Sequence, residues 1–294
     1  MTLELSVVVA SVNGRPYLDA CLDSLERRCP QVEVVVADWT DEETRGHVRR
    51  RWPQVRLLSF DQPTAVPELR AAGIAAASAP HVAVIEDHCV VREQWSERLL
   101  AAHRQGRSVV GGPIRNAATG RLRDWAAFFC EYSEHMEPLP PGRAESLPGM
   151  NVSYDRRALT AMAGLLEEGR WESWLHPHLQ AQGFELFVDP AAGLDHAKAF
   201  GVREFLSQRY HYSRAHAGMR NPELGRKRLL YAAGSPVLVP LLLGRIARNV
   251  LGKRRHRLRL LASSPLVALY TAAWAFGEAV GYVFGGGRSL LHVR

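Results

Sequence analysis

Five short apolar runs, Leu5–Ala10, Val32–Ala37, Val55–Phe60, Val82–Ile85 and Val109–Gly112, punctuate the first part of the chain. The segments between them have helical character. Tyr17, Leu18, Cys21, Leu22 and Leu25 repeat at helical spacing; Asp41 to Arg51 reads as a short solvated helix; Pro67 to Ala79 is Ala-rich; Glu93 to His103 is a further helix. Strand and helix thus alternate at roughly 25–30 residues per repeat, which calls for parallel strands joined by crossover helices. A continuous β-branched run is what a strand covered on both faces requires. The pattern predicts an α/β fold with a mostly parallel sheet flanked by helices. In open sheets of this kind ligands bind beyond the carboxyl ends of the strands.

The residues at those ends are the first functional candidates. Strand one leads into Ser11-Val12-Asn13-Gly14-Arg15-Pro16, which is turn chemistry. Strand two ends at Asp38. Strand four stops abruptly in Glu86-Asp87-His88, two acids and an imidazole delivered to the rim of the sheet, which suggests a metal-assisted site. Past Gly112 the rhythm changes. An aromatic-rich helix spans Asp124 to Met136 and a short strand spans Gly149 to Tyr154. A helix follows from Arg170 to Gln182, shortened or kinked by Pro177. A late strand, Phe184 to Val188, precedes Asp195-His196.

At 294 residues, 47% hydrophobic and 23% charged, the chain is ordinary globular stock with room for two domains. Its charge is unevenly placed. From Arg220 onward there are 13 Lys and Arg against Glu223 and Glu278, a balance of +11, whereas the rest is mildly acidic at −4. Such asymmetry points the tail toward an anionic surface. Cys21, Cys29, Cys89 and Cys130 form no CxxC pair and read as free thiols of a reducing compartment. No charged and apolar leader precedes the first strand, so a signal peptide is not expected. His176-Pro177-His178 lacks cysteines or acids at ligand spacing and predicts no zinc site.

The tail carries two apolar stretches, Leu229 to Leu243, broken by Pro236 and Pro240, and Leu260 to Phe284. A helical span needs roughly 20 apolar residues, which the first stretch lacks. Basic clusters lie before, between and after the two. If each stretch crossed a bilayer, one cluster would have to be translocated. In-plane or re-entrant helices keep every cluster on the cytoplasmic face, held by anionic headgroups. The other reading is a buried helical hairpin serving an oligomer. The apolar content favours a membrane over nucleic acid, so no nucleic-acid partner is expected. The expected division is a catalytic domain over residues 1–218 and a basic, apolar, membrane-associating helical tail over 219–294.

Five pieces now stand in order: Ser6-Val7-Val8-Val9-Ala10-Ser11, Glu33-Val34-Val35-Val36-Ala37-Asp38, Arg70-Ala71-Ala72-Gly73-Ile74-Ala75, Glu86-Asp87-His88, and Gly149-Met150-Asn151-Val152-Ser153-Tyr154-Asp155-Arg156-Arg157. In this order and spacing they resemble the family 2 glycosyltransferases of GT-A fold, over roughly residues 5–216. The resemblance implies an inverting, metal-dependent transfer of a sugar from a nucleotide-sugar donor to a lipid-linked or polysaccharide acceptor. It implies that Ser11, Asn13 and Asp38 hold the nucleotide, with Arg70 at the base or diphosphate and Asp87 also binding the nucleotide sugar, with or without a part in holding the metal. Asp38 also reads as a helix N-cap and Arg70 as a surface arginine. The triplet fills the slot of the family's Asp-x-Asp motif, which binds a divalent cation, Mn2+ or Mg2+, on the donor diphosphate. Glu86 and His88 take its outer positions and His196 a later metal or diphosphate position. Imidazole in an oxygen-ligand slot leans toward Mn2+, or toward a site where one carboxylate touches the ion.

Glu172 matches the acceptor-side carboxylate that removes the hydroxyl proton. The family often pairs Glu with Asp there; this chain has Glu172-Ser173. Trp171 and Trp174 either stack on a sugar or pack in the core. Gln208-Arg209-Tyr210-His211-Tyr212-Ser213-Arg214 is similar to a Gln/Arg/Trp stretch of membrane-bound members, with tyrosines in place of tryptophan; its basic side chains either meet the diphosphate or form a cationic amphipathic helix leading to the membrane. Two rival readings stay open. A nucleotidyltransferase would want a Gly-rich basic loop after strand one, and a catalytically degenerate transferase would serve as a membrane scaffold.

Overall fold

Leu5–Ser11, buried along its whole length, forms the central strand β1. In this computed structural model, which describes residues 3–293, strict alternation follows: α1 (Tyr17–Arg28), β2 (Glu33–Asp38), α2 (Glu42–Arg51), β3 (Arg56–Ser59), α3 (Val66–Ala76) and β4 (His81–Glu86). Four elements then run to Asn116: β5 (Cys89–Val91), α4 (Trp95–Arg104), β6 (Val109–Gly111) and β7 (Ile114–Asn116). Beyond α5 (Leu122–Tyr132) come β8 (Gly142–Ala144), β9 (Val152–Asp155), α6 (Arg156–Ala161), α7 (Ala163–Glu167), α8 (Glu172–Ala181), β10 (Leu186–Val188) and β11 (Leu194–His196). Four α-helices follow: α9 (Val202–Leu224), α10 (Arg228–Gly234), α11 (Leu238–Gly252) and α12 (Arg257–Phe284).

The first compact unit comprises the chain up to Ala117 together with His135–Lys198. Its main sheet has the order β3-β2-β1-β4-β9-β6-β10-β8. β1 pairs in parallel with β2 and β4, and β2 with β3, as the alternation predicts. β9 is the departure: it enters antiparallel between β4 and β6. The sheet is therefore mixed. Val8, Val35, Val82, Val84, Val152 and Tyr154 pack on one face under Leu175 and Leu179 of α8. Burying each of the larger side chains stabilises the fold by about 1.5–3 kcal/mol. A second sheet, β5-β11-β7, is built from three-residue strands that no sequence periodicity announces.

Register decides what reaches the rim. Ser11 lies opposite Asp38, and Ala10 opposite Glu86, so three candidate residues share the carboxyl edge of the sheet. In the small sheet His196 lies opposite Cys89, which brings the residue before it, His88, beside His196.

The second unit comprises Ala118–Glu134 and the chain from Ala199 on. It thus takes in α5 and all of α9 besides the tail expected from composition. Trp125, Phe128 and Phe129 of α5 are buried, and Phe205 of α9 meets Tyr270 of α12 edge-on at 4.6 Å. Two helical stretches, Val202–Gly252 and Arg257–Phe284, each contain an 18-residue segment long and apolar enough to cross a membrane by length and composition.

Candidate functional site

Asp87 organises the loop after β1. It is fully buried, and its Oδ2 accepts from the backbone N–H of Val12 at 2.9 Å, Asn13 at 2.6 Å and Gly14 at 3.1 Å. Its Oδ1 accepts from Asn13 Nδ2 at 2.8 Å. Burial alone would raise its pKa, but the bonds and charge from His88 and the bonds from Asn13 prevail and hold it below the ordinary carboxylate range. The aspartate therefore acts on the loop that carries Ser11 and Asn13. Ser11 is buried, and its hydroxyl has no hydrogen-bond partner among the described residues.

Asp38, also buried, accepts from the Thr40 amide at 3.1 Å and from Arg45 Nε at 3.0 Å. Arg45 in turn reaches Asp61 at 2.7 Å. The helix cap of α2 is Asp41, whose carboxylate accepts from the Thr44 amide at 2.7 Å. Asp38 is free of that capping duty and sits at the end of β2 beside Ser11.

Arg70 is the hub on the other side. It is 5% exposed, and its guanidinium donates to Glu86 and, at 2.5 Å, to Glu172. Trp171 lies under that guanidinium, 5.3 Å from its ring centroid. Trp171 is thus a buried platform for Arg70, whereas Trp174 is half-buried beside Arg170. Glu172 occupies the first turn of α8, where the positive end of the helix dipole favours a carboxylate. A side chain at Gly149 would collide with it: a Cβ there would stand 2.2 Å from the Glu172 carboxyl. Tyr154 lies below, its hydroxyl 3.0 Å from His176 Nε2. Pro67, Arg70, Tyr154, Arg170 and Glu172 line one small pocket.

His88 and His196 meet edge-on, ring centroids 4.7 Å apart. His88 Nε2 is buried, has no hydrogen-bond partner among the described residues, and lies 3.5 Å from Glu86 Oε2. Burial, then His88 and Lys198, push the His196 imidazole well below its ordinary pKa, so it is neutral near pH 7. Among the described residues, no three His, Cys, Asp or Glu side chains are placed to hold a metal by themselves. Glu86 Oε2 and His88 Nε2 do form a two-donor edge. A hard divalent cation that keeps waters and takes substrate phosphates needs no more than one or two protein carboxylates. The donor set fits an ion whose coordination a diphosphate completes.

Sequence reasoning missed Lys198. It is 4% exposed and donates to Asn13 Oδ1 at 2.7 Å. The only signal was its place two residues beyond His196.

The structure thus gathers Arg70, Glu86 and Glu172 into one ion-paired group. Asn13, Asp87, His88, His196 and Lys198 form an adjoining one, with Asp38 on the neighbouring strand end. In sequence, the family model described as Glycosyl transferase family 2 matches residues 6–155. No curated protein matches the chain. Among solved structures, the mannosyltransferase PcManGT from Pyrobaculum calidifontis, in complex with GDP-Man and Mn2+, is similar at TM-score 0.55 and 15% identity. That likeness covers 99% of this chain and 88% of the other. S. aureus TarS 1-349 in complex with UDP-GlcNAc is similar at TM-score 0.51 and 12% identity, covering 94% and 91%. Both share the mixed sheet and flanking helices of the GT-A fold.

Proposed function

The chain belongs to glycosyl transferase family 2, and we propose that it moves a sugar, with inversion, from a nucleotide-sugar donor to a lipid-linked or polysaccharide acceptor at the cytoplasmic face of a membrane. The observation that carries this reading is the Arg70 bridge between Glu86 and Glu172. It joins a strand-end acid of the nucleotide side to a helix-start acid of the acceptor side.

The roles follow from the surroundings of each group. Ser11, Asn13 and Asp38 seat the nucleoside, on a loop fixed by Asp87. Arg70 and Lys198 supply positive charge to the diphosphate. Glu86 and His88, with His196 beside them, would hold a divalent cation, which when bound neutralises charge on the departing nucleoside diphosphate. Glu172 takes the proton of the acceptor hydroxyl as that oxygen attacks the anomeric carbon. A single in-line attack with no covalent sugar–enzyme bond inverts the anomeric configuration. Trp171 keeps Arg70, and through it the Glu172 carboxylate, in place.

Thermal melting with a panel of nucleotide sugars, GDP-Man and UDP-GlcNAc first, each with Mn2+, Mg2+ or chelator, tests the donor assignment. A ligand bound at a hundredfold excess over Kd stabilises the folded state by about 2.7 kcal/mol. Glu172→Gln is expected to keep that shift and to lose turnover. Retained turnover would remove Glu172 as the base, and no shift with any donor would sink the transferase reading.

A further inference from the structure

α12 presents two opposed faces. Ser263, Val267, Tyr270, Thr271, Glu278 and Tyr282 are buried. On the other side Leu258, Leu261, Leu269, Phe276 and Val283 are exposed, the first two at 81% and 72%. Their spacings of three, seven or eight residues put them on one stripe of the helix. The stripe runs nearly the full length of α12, roughly 40 Å at 1.5 Å per residue.

The buried face is sealed against a polar helix. Gly277 and Gly281 let α9 approach so closely that a Cβ at either would stand 2.4 Å from a backbone oxygen, of Tyr210 and Arg214 respectively. Asn221 Nδ2 donates to the Gly281 carbonyl at 3.0 Å, and Arg220 donates to the Tyr282 hydroxyl at 2.7 Å. Arg209 stacks 4.1 Å over Trp274, whose ring nitrogen donates to Glu278. α9 also carries Arg203, Arg214 and Glu223. For α12 to cross a bilayer, this charged helix would have to enter the hydrocarbon with it, or the seam between them would have to open. Both leave ionised or hydrogen-bonding groups in a medium that cannot solvate them.

Charge names the occupant of the stripe. Between Glu223 and Glu278 the chain has no acid and ten Lys or Arg. Arg254, Arg255, Arg257 and Arg259 are exposed at the start of α12, and Arg288 is exposed just past its end. An apolar stripe flanked by cations suits the headgroup boundary of an anionic bilayer.

We infer that α12 lies in the plane of an anionic membrane surface, resting on the Leu258–Val283 stripe, and does not span it. This rests on the membrane part of the function proposed above and is independent of the sugar chemistry. Arg257→Cys and Arg288→Cys place a thiol at either end of the helix in the full chain. In sealed membrane vesicles of each orientation, an impermeant maleimide is expected to label both positions from the same face, above the background of the unsubstituted chain. Labelling of one end from each face overturns the inference and leaves the membrane association standing. A chain absent from the membrane fraction defeats that association itself, while donor binding still reports on the transferase. Leu261→Glu with Phe276→Glu is expected to weaken binding to phosphatidylcholine–phosphatidylglycerol vesicles at least tenfold, in a variant that melts like the parent. Unchanged vesicle binding by that variant would remove the stripe as the contact.

Discussion

Asp87→Asn isolates what the buried carboxylate does for the nucleotide loop. The substitution keeps the shape and removes the charge. Four hydrogen bonds to Asp87, from three successive amides and the Asn13 side chain, lose their ionic partner. Hydrogen bonds to charged groups contribute roughly 1 kcal/mol more each than neutral ones, about 4 kcal/mol over the set. An amide also relieves the desolvation of a buried charge, which acts in the opposite direction, so a net loss of about 2–3 kcal/mol is expected. For a unit of this size each kcal/mol lowers the melting temperature by about 2–4 °C. Calorimetry at pH 7 should therefore show a fall of about 5–10 °C. The carboxamide nitrogen must also face Asn13 Nδ2, donor against donor, so the loop shifts and nucleoside diphosphate affinity is expected to fall about tenfold, or 1.4 kcal/mol, by titration calorimetry. A variant that melts within 2 °C of the parent (about 1 kcal/mol or less) and binds nucleotide equally well would refute the assignment of Asp87 as the fixing point of this loop.

Two further outcomes follow from other contacts. Gly149→Ala puts a methyl group where the Glu172 carboxyl stands, so turnover is expected to drop about a hundredfold with donor-induced thermal shifts preserved; normal kcat would show that Glu172 works from elsewhere. Burial, with the His81 ring stacked 4.3 Å away, pushes His103 down to about 4. Unfolded, it titrates near its ordinary 6.5, so the unfolded chain binds the extra proton between those values and stability falls as pH drops from 6.5 toward 4, by up to about 3 kcal/mol. His103→Gln should flatten that decline in urea unfolding at pH 7 and 4.5; an unchanged slope would assign the acid sensitivity to other groups.

The strands that carry the site were legible because each is a local pattern. The β-branched runs of β1, β2 and β4 are buried on both faces, and their abrupt polar ends marked Ser11, Asp38 and Glu86 correctly as rim residues. The antiparallel entry of β9 was not legible, because Val84 opposite Val152 is a pairing between distant segments that neither strand encodes alone. The small sheet was hidden for a different reason: three residues are too few to show a period. It is nevertheless what sets His88 against His196. Side-chain partnerships were the least readable. Arg70 and Glu172 stood out separately, but their ion pair joins residues far apart in sequence. The bonds of Asp87 to three backbone amides were equally hidden, because an acid at a strand end looks the same in sequence whether it faces solvent or amides.

The Gly149-Met150-Asn151 run shows how one short segment answers several constraints at once. Asn151 is fully buried, accepts from Trp95 Nε1 at 2.9 Å and donates to the Ala192 carbonyl at 2.9 Å. It ties the start of β9 to α4 and to the turn before β11. The Met150 carbonyl faces the Cys89 thiol of β5 at 3.9 Å, so the same segment touches both sheets. With the following residue anchored in this way, position 149 cannot retreat, and any side chain there must meet Glu172. A glycine is therefore the residue that allows the α8 carboxylate to reach Arg70. The requirement is steric and local, yet it follows from hydrogen bonds made two residues later. That is why the order Gly-x-Asn, rather than either residue alone, carries information about where the acid at the head of α8 must stand.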